Sequence, residues 1–237
     1  MKGRRVTAPL LGVVLLAAGC VTQGAAPLPP SGFLTDDDDL APGARGGASL
    51  AWKHPDFDLG AYDRLMLDPL EIRFAPDADG ADVPPEQVVV LAAYFRRAVV
   101  DALGDAYPVV TAPGPGVLRV RTALTNVKPS RPALDTATNV PPARAVDLAA
   151  SLVTGRHLFV GEAAIEAEFL DAQGGPRQGE RMLAIVDRRA GGKTPAGVLD
   201  PWDDAESAFD HWAALLRERL DRAHETGAHG SAGDGAP

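Results

Sequence analysis

The chain has 237 residues, of which 46% are apolar, a formal net charge of −9 and one cysteine. The acidic balance excludes nucleic acid as a partner, because that affinity comes from cations neutralising phosphates, and it opposes electrostatic docking on anionic lipid. A lone cysteine gives no internal disulfide, so the core has to come from packing, and a chain of this length can bury one.

The first element in chain order is a leader. Lys2, Arg4 and Arg5 precede an apolar run from Leu10 to Ala18, and Gly19-Cys20 follow. A basic start, a short apolar stretch and small residues before a cut make a secretory signal, here residues 1–19. The run is too short to span a bilayer, which takes about 20 apolar residues. Ala18-Gly19-Cys20 resembles the lipobox of bacterial lipoproteins, with Ala17 where leucine is usual. The resemblance implies lipidation of Cys20: a diacylglycerol thioether on the cysteine, cleavage before it, and often acylation of the new amine by a fatty acid such as palmitate. Several acyl chains anchor stably where one is marginal. Loss of the leader's three positive charges moves the formal charge from −9 to −12. Valine rather than aspartate after the cysteine leads us to expect anchoring in the envelope at the outer membrane, facing the periplasm.

Residues 20–50 are expected to form the lipid-anchored tether, with Pro27, Pro29, Pro30, Pro42 and the acidic run Asp36 to Asp39. Ser31 to Leu34 is the part expected to dock on the domain, which is taken as residues 51–224. Tyr62 to Phe74 alternates as a strand, with Pro69 forcing a bulge or an edge position. Residues 77–85 form a loop, and Pro84-Pro85-Glu86 opens a helix. Val88, Ala92, Phe95, Val99 and Ala102 make its apolar face, and Gly104 ends it. Tyr107 to Val110 is a short strand candidate. Val117 to Val127 is a stronger one, with Leu118, Val120, Thr122 and Leu124 opposite Arg119 and Arg121.

Proline-rich residues 128–143 form a long loop, and a short helix is expected around Ala145 to Leu152. A hairpin follows: Leu158 to Asp171 alternates Ala163, Ile165, Ala167 and Phe169 against Glu162, Glu166 and Glu168, and Met182 to Arg189 returns. The last helix begins at an Asp203/Glu206 pair that resembles a capping box. Its stripe is Ala205, Phe209, Trp212, Leu216, Leu220 and Ala223. Arg217 and Arg219 fall off the stripe, where substitution is expected to matter little. Residues 225–237 are expected to be disordered. The elements predict a single α+β domain, an antiparallel or mixed sheet with two main helices packed on it.

"SGFLTD", "YDRLMLDPLEI", "VGEAAIEAEFLDAQGG", "VDRRAGG" and "WDDAESAFDHWAALLRERLD" together resemble a bacterial lipoprotein family catalogued as domain of unknown function 3313. The likeness runs from about Ser31 to Asp221. It implies an exported, lipid-anchored α+β protein and carries no activity, so no catalytic or binding residue transfers from it.

Other motifs are weaker than they look. Gly192-Lys193-Thr194 ends like a phosphate loop, but Asp187 stands where the pattern needs glycine, and Pro195 blocks the helix. The stretch from Ala75 to Glu86 mimics a calcium loop through Asp77, Asp79, Gly80 and Glu86, yet Ala75 takes the first ligand position. His54, Asp56 and Asp58 alternate as a metal site requires, but a proline interrupts them. His157, His211, His224 and His229 lack ligand spacing. Glu162, Glu166 and Glu168 read as the charged outer face of a half-buried hairpin. Phe209 and Trp212 read as core. We therefore expect no catalytic, cofactor-binding or metal-ligating residue, no cofactor, and no enzyme. The expected role is a lipid-anchored binding or interaction module for a protein or envelope ligand. A lipid-carrying or transport-accessory lipoprotein is the alternative, marked by an apolar cavity between sheet and helices. An envelope hydrolase is the third reading.

Overall fold

A computed structural model describes residues 31–37, 39–44, 46–74, 83–128, 162–190 and 202–231. Among the described residues, seven strands form one mixed sheet: β1 (Ala41–Pro42), β2 (Leu50–Lys53), β3 (Arg64–Leu67), β4 (Glu71–Ile72), β5 (Val117–Lys128), β6 (Glu162–Asp171) and β7 (Arg181–Ala190). Their spatial order is β1-β2-β7-β6-β5-β3, and β4 also pairs with β5. The hairpin of β6 and β7 and its pairing with β5 are antiparallel, whereas β3 and β4 run parallel to β5. With α1 (Pro85–Leu103) and α2 (Asp203–Ser231) this is the expected α+β arrangement.

Pro69 divides the strand predicted over 62–74. A proline supplies no ladder N–H, so β3 stops at Leu67 and β4 resumes at Glu71, both still against β5. The predicted strand at Tyr107 to Val110 contributes one bridge, Val109 to Leu65, flanked by the Val110 N–H donating to the Leu65 carbonyl at 2.8 Å. The helix expected near 145–152 lies outside the described residues.

Helix α1 starts on proline and ends at Gly104, whose φ of 54° suits glycine. Its buried residues are Leu91, Phe95, Val99 and Leu103. They share Phe95 and Val99 with the predicted stripe but are rotated from Ala92 and Ala102, because α1 packs chiefly on α2 rather than squarely on the sheet. The edge of the Phe95 ring meets Phe209 at 5.4 Å between centroids. Helix α2 buries Ala205, Ala208, Phe209, Trp212, Ala213 and Leu220. Its first helical bond runs from the Glu206 N–H to the Trp202 carbonyl at 3.0 Å. Asp203 is therefore the first helical residue rather than the cap, and Asp203, Asp204 and Glu206 face the positive end of the helix dipole. The helix continues to Ser231, beyond residue 225 where disorder was expected.

Two further expectations need correction. Strand β2 pairs with β7 from Leu50↔Val186 onward, and β1 pairs with β2, so ordered structure begins before residue 51. Of the three glutamates of β6, Glu162 is partly exposed and the other two do not face water. Glu168 is fully buried and Glu166 nearly so. The segment 31–37 lies across this face as a strap: the Thr35 N–H donates to Glu168 at 2.7 Å, and the Ser31 hydroxyl donates to Glu166 at 2.8 Å. Phe33 is buried with its ring against the Arg121 guanidinium, 4.9 Å from the centroid. Docking of Ser31 to Leu34 was legible; its landing place on the glutamates was not.

Candidate functional site

Between the helices and the apolar face of the sheet lies a chamber of about 670 Å³. Its floor is built by alternation: Val120 and Thr122 of β5, Ile165, Ala167 and Phe169 of β6, and Leu183 and Ile185 of β7. These residues share one face because register pairs Ala167 with Ile185 and Phe169 with Leu183. Ala92, Phe95 and Val99 of α1 and Trp212, Leu215 and Leu216 of α2 make the roof. Alanines at 51, 92, 93 and 167 leave the space that larger side chains would fill. Gly43, Ala44, Gly47 and Ala48 line one side. Gly43 has to be glycine, since a Cβ there would stand 1.9 Å from the Ala48 carbonyl oxygen.

Asp187 fixes one end of the roof. Although on β7, it sits opposite Ile165 and so faces the helices. The Trp212 indole N–H donates to it at 2.8 Å, and the Ser49 N–H and hydroxyl donate at 3.0 and 2.8 Å. Trp212 is thus buried, as its place on the stripe implied, and also walls the chamber. Arg217 locks the two helices together. Its Nη1 donates to the Leu103 and Ala102 carbonyls at the end of α1, at 3.0 and 3.2 Å, and its Nε donates to Asp221 at 2.8 Å. That role corrects the expectation that Arg217 matters little. Tyr107 and Tyr62 anchor the far side, donating to Asp221 at 2.9 Å and Asp171 at 3.0 Å. Burial, then the adjacent carboxylate, pushes each phenol up to about 12.

The other sequence candidates are scattered. The His54 Nδ1 accepts from the Asp56 N–H, Asp56 pairs with Arg177, and Asp58 accepts from the Gly60 N–H, so these three shape a turn. His224 bonds the Tyr62 carbonyl through Nε2, and His211 is exposed. Glu86 is exposed on α1. Cys20, His157, Asp77, Asp79, Gly80, Gly192, Lys193 and Thr194 lie outside the described residues, as does the side chain of His229. Among the described residues no helix is long and apolar enough to cross a membrane.

Residues 29–216 match the family described as "Protein of unknown function (DUF3313)". The chain belongs to this family. It is 29% identical over 167 residues to the uncharacterized lipoprotein YdcL of Escherichia coli K12, covering 70% of this chain and 74% of that one. Among solved structures it is similar to a PelC dodecamer subunit from Paraburkholderia phytofirmans, with 9% identity, a TM-score of 0.38, and coverage of 72% of this chain and 93% of that one. Protein XCC0632 from Xanthomonas campestris gives 11% identity and a TM-score of 0.37, covering 75% of this chain and 94% of that one.

Proposed function

We propose that this DUF3313 protein is a lipid-anchored, non-enzymatic carrier or receptor that holds an apolar ligand, tethered by an acylated Cys20 at the outer membrane and facing the periplasm. The chamber is the observation that carries this reading. A volume of about 670 Å³ falls within the roughly 300–1,000 Å³ of small-molecule sites. Its walls are mostly aliphatic and aromatic, which suits an acyl chain. Asp68 is the one carboxylate among the described lining residues, and Arg119 occupies it through Nε at 2.9 Å and Nη2 at 2.7 Å. The lipoprotein relative and the leader ending at Cys20 support the anchor.

The chamber is tested by native mass spectrometry of protein purified from its own membrane, with organic extraction of any bound species. Apolar ligand is expected on the wild type and is expected to disappear from Ala92→Phe, which places a ring in the chamber. Equal ligand on both would sink the reading. The anchor is tested separately: labelling by radioactive palmitate should vanish in Cys20→Ala.

A further inference from the structure

We propose that the ligand is a single-chain lipid with an anionic head, carboxylate or phosphate. This inference rests on the carrier reading and names the chemistry of the chamber's cationic lining. The protein is acidic, and most of its described arginines are ion-paired: Arg64, Arg73, Arg97, Arg119, Arg121, Arg177, Arg188, Arg189, Arg217 and Arg222 each have a carboxylate partner. Lys53, Arg96 and Arg219 have none among the described residues, and all three line the chamber. Arg181, also without a carboxylate, is spent on the Trp52 ring and the Asp36 carbonyl.

The three cations come from separate elements, β2, α1 and α2. Lys53 rests its ammonium 5.7 Å from the centre of the Phe57 ring, itself part of the lining. Arg96 is exposed and Arg219 half-buried. The lining therefore joins apolar walls to three uncompensated cations, while its only described acid is already neutralised by Arg119. An acyl chain satisfies the walls but leaves the cations without a partner. A neutral head does the same. An anionic head satisfies both, through charge-assisted hydrogen bonds to guanidinium groups.

The test uses the full mature chain, residues 20–237, carrying Cys20→Ser. Displacement of the neutral probe N-phenyl-1-naphthylamine is followed for four ligands of equal chain length: palmitate, palmitoyl-lysophosphatidylglycerol, palmityl alcohol and palmityl-trimethylammonium. At least one anionic ligand should bind about tenfold tighter than the alcohol, the scale of one charged hydrogen bond, with the cation weakest. The advantage should shrink with salt. It should also collapse toward the alcohol's affinity in Arg96→Gln and Arg219→Gln, with alcohol binding itself unchanged. Whichever of the carboxylate and the phosphate binds more tightly assigns the head. Equal binding of anion, alcohol and cation overturns this inference and leaves the carrier reading standing. Failure of the probe and all four ligands to bind overturns both.

Discussion

Ala167 and Glu168 are neighbours in β6, yet they look into opposite kinds of surroundings. Glu168 is fully buried, with the Arg121 Nη1 and the Thr35 N–H each donating to it at 2.7 Å. Ala167, on the other side of the same strand, borders a chamber of about 670 Å³. The polar face is closed charge by charge. Glu166 receives Ser31, and Glu162 receives Asn126 and Arg188. The apolar face is left incompletely filled. Buried polar groups cost stability unless each is paired, so a face with its partners already in place has little left to offer a ligand. An apolar wall beside open volume has unused contact surface, and that difference is why the proposed ligand is assigned to the helix side.

The largest effect should come where the helix side is closed. Phe209 is fully buried against Phe95, Tyr94 and Trp212. Phe209→Ala should cost about 3–5 kcal/mol, out of a total of about 5–15 kcal/mol for a domain. The urea midpoint should fall sharply. A small shift would mean that the helix pair is as loosely packed as the chamber beside it.

Next is the strap face. Glu168→Ala leaves Arg121 with a carboxylate contact to Glu71 at 3.5 Å, and the Thr35 N–H without its acceptor. Removing one member of a buried pair costs about 3 kcal/mol or more. Hydrogen exchange should quicken in residues 31–37, while lipid-probe affinity, measured below the unfolding range, stays put. Loss of probe binding in a folded Glu168→Ala would break the division of labour between the two faces.

Arg217 and Arg219 then separate structure from binding two residues apart on one helix. Arg217→Ala removes donors from the α1 carbonyls and should cost about 1–2 kcal/mol. Arg219→Ala should stay within about 0.5 kcal/mol and be felt in anionic-lipid affinity instead. Urea titration and probe displacement on both variants decide it. An equal stability loss would make Arg219 part of the frame rather than of the binding lining.

The pattern of legibility follows the same division. Periodicity is local, so β5, the β6–β7 hairpin and α2 could be read from spacing alone. Alternation says that Glu166 and Glu168 share a face; it does not say whether water or another segment covers that face. The covering segment sits 133 residues away from Glu168, and although Ser31 to Leu34 announces docking, nothing in it names the glutamates as its landing place. Arg217 looked like any exposed helical arginine, because its acceptors are backbone carbonyls at the end of another helix. In the sequence Asp187 stands out only as a break in a phosphate-loop pattern; its register opposite Ile165 and its contacts with Trp212 and Ser49 show that it points inward. The chamber is a volume, the joint outcome of alanines at 51, 92, 93 and 167. Each of these is ordinary by itself, so no single residue signals it.

The smallest effect expected is also the one with the least ordinary sign. Burial raises the pKa of Glu166 above the usual glutamate value, and the Ser31 hydroxyl and N–H oppose that rise without cancelling it. A carboxylate whose pKa is raised on folding destabilises the folded state when ionised. The native protein then binds more protons than the unfolded one between the two pKa values, so stability from this group rises as pH falls through the folded value and levels off below the unfolded one. Asp221 runs the other way: Arg217, then Tyr107, hold it below the usual aspartate range. Its contribution is present above the unfolded pKa and is lost as pH falls through the lower folded one. Glu166→Gln removes the titration and keeps an acceptor for Ser31. Urea midpoints of wild type and Glu166→Gln, taken from pH 7 down to about the ordinary glutamate value, should show the wild type gaining on the variant as pH drops. A wild type that loses ground over that window would mean that the Ser31 contacts outweigh burial, and that the strap, like the rest of its face, is held by charge rather than in spite of it.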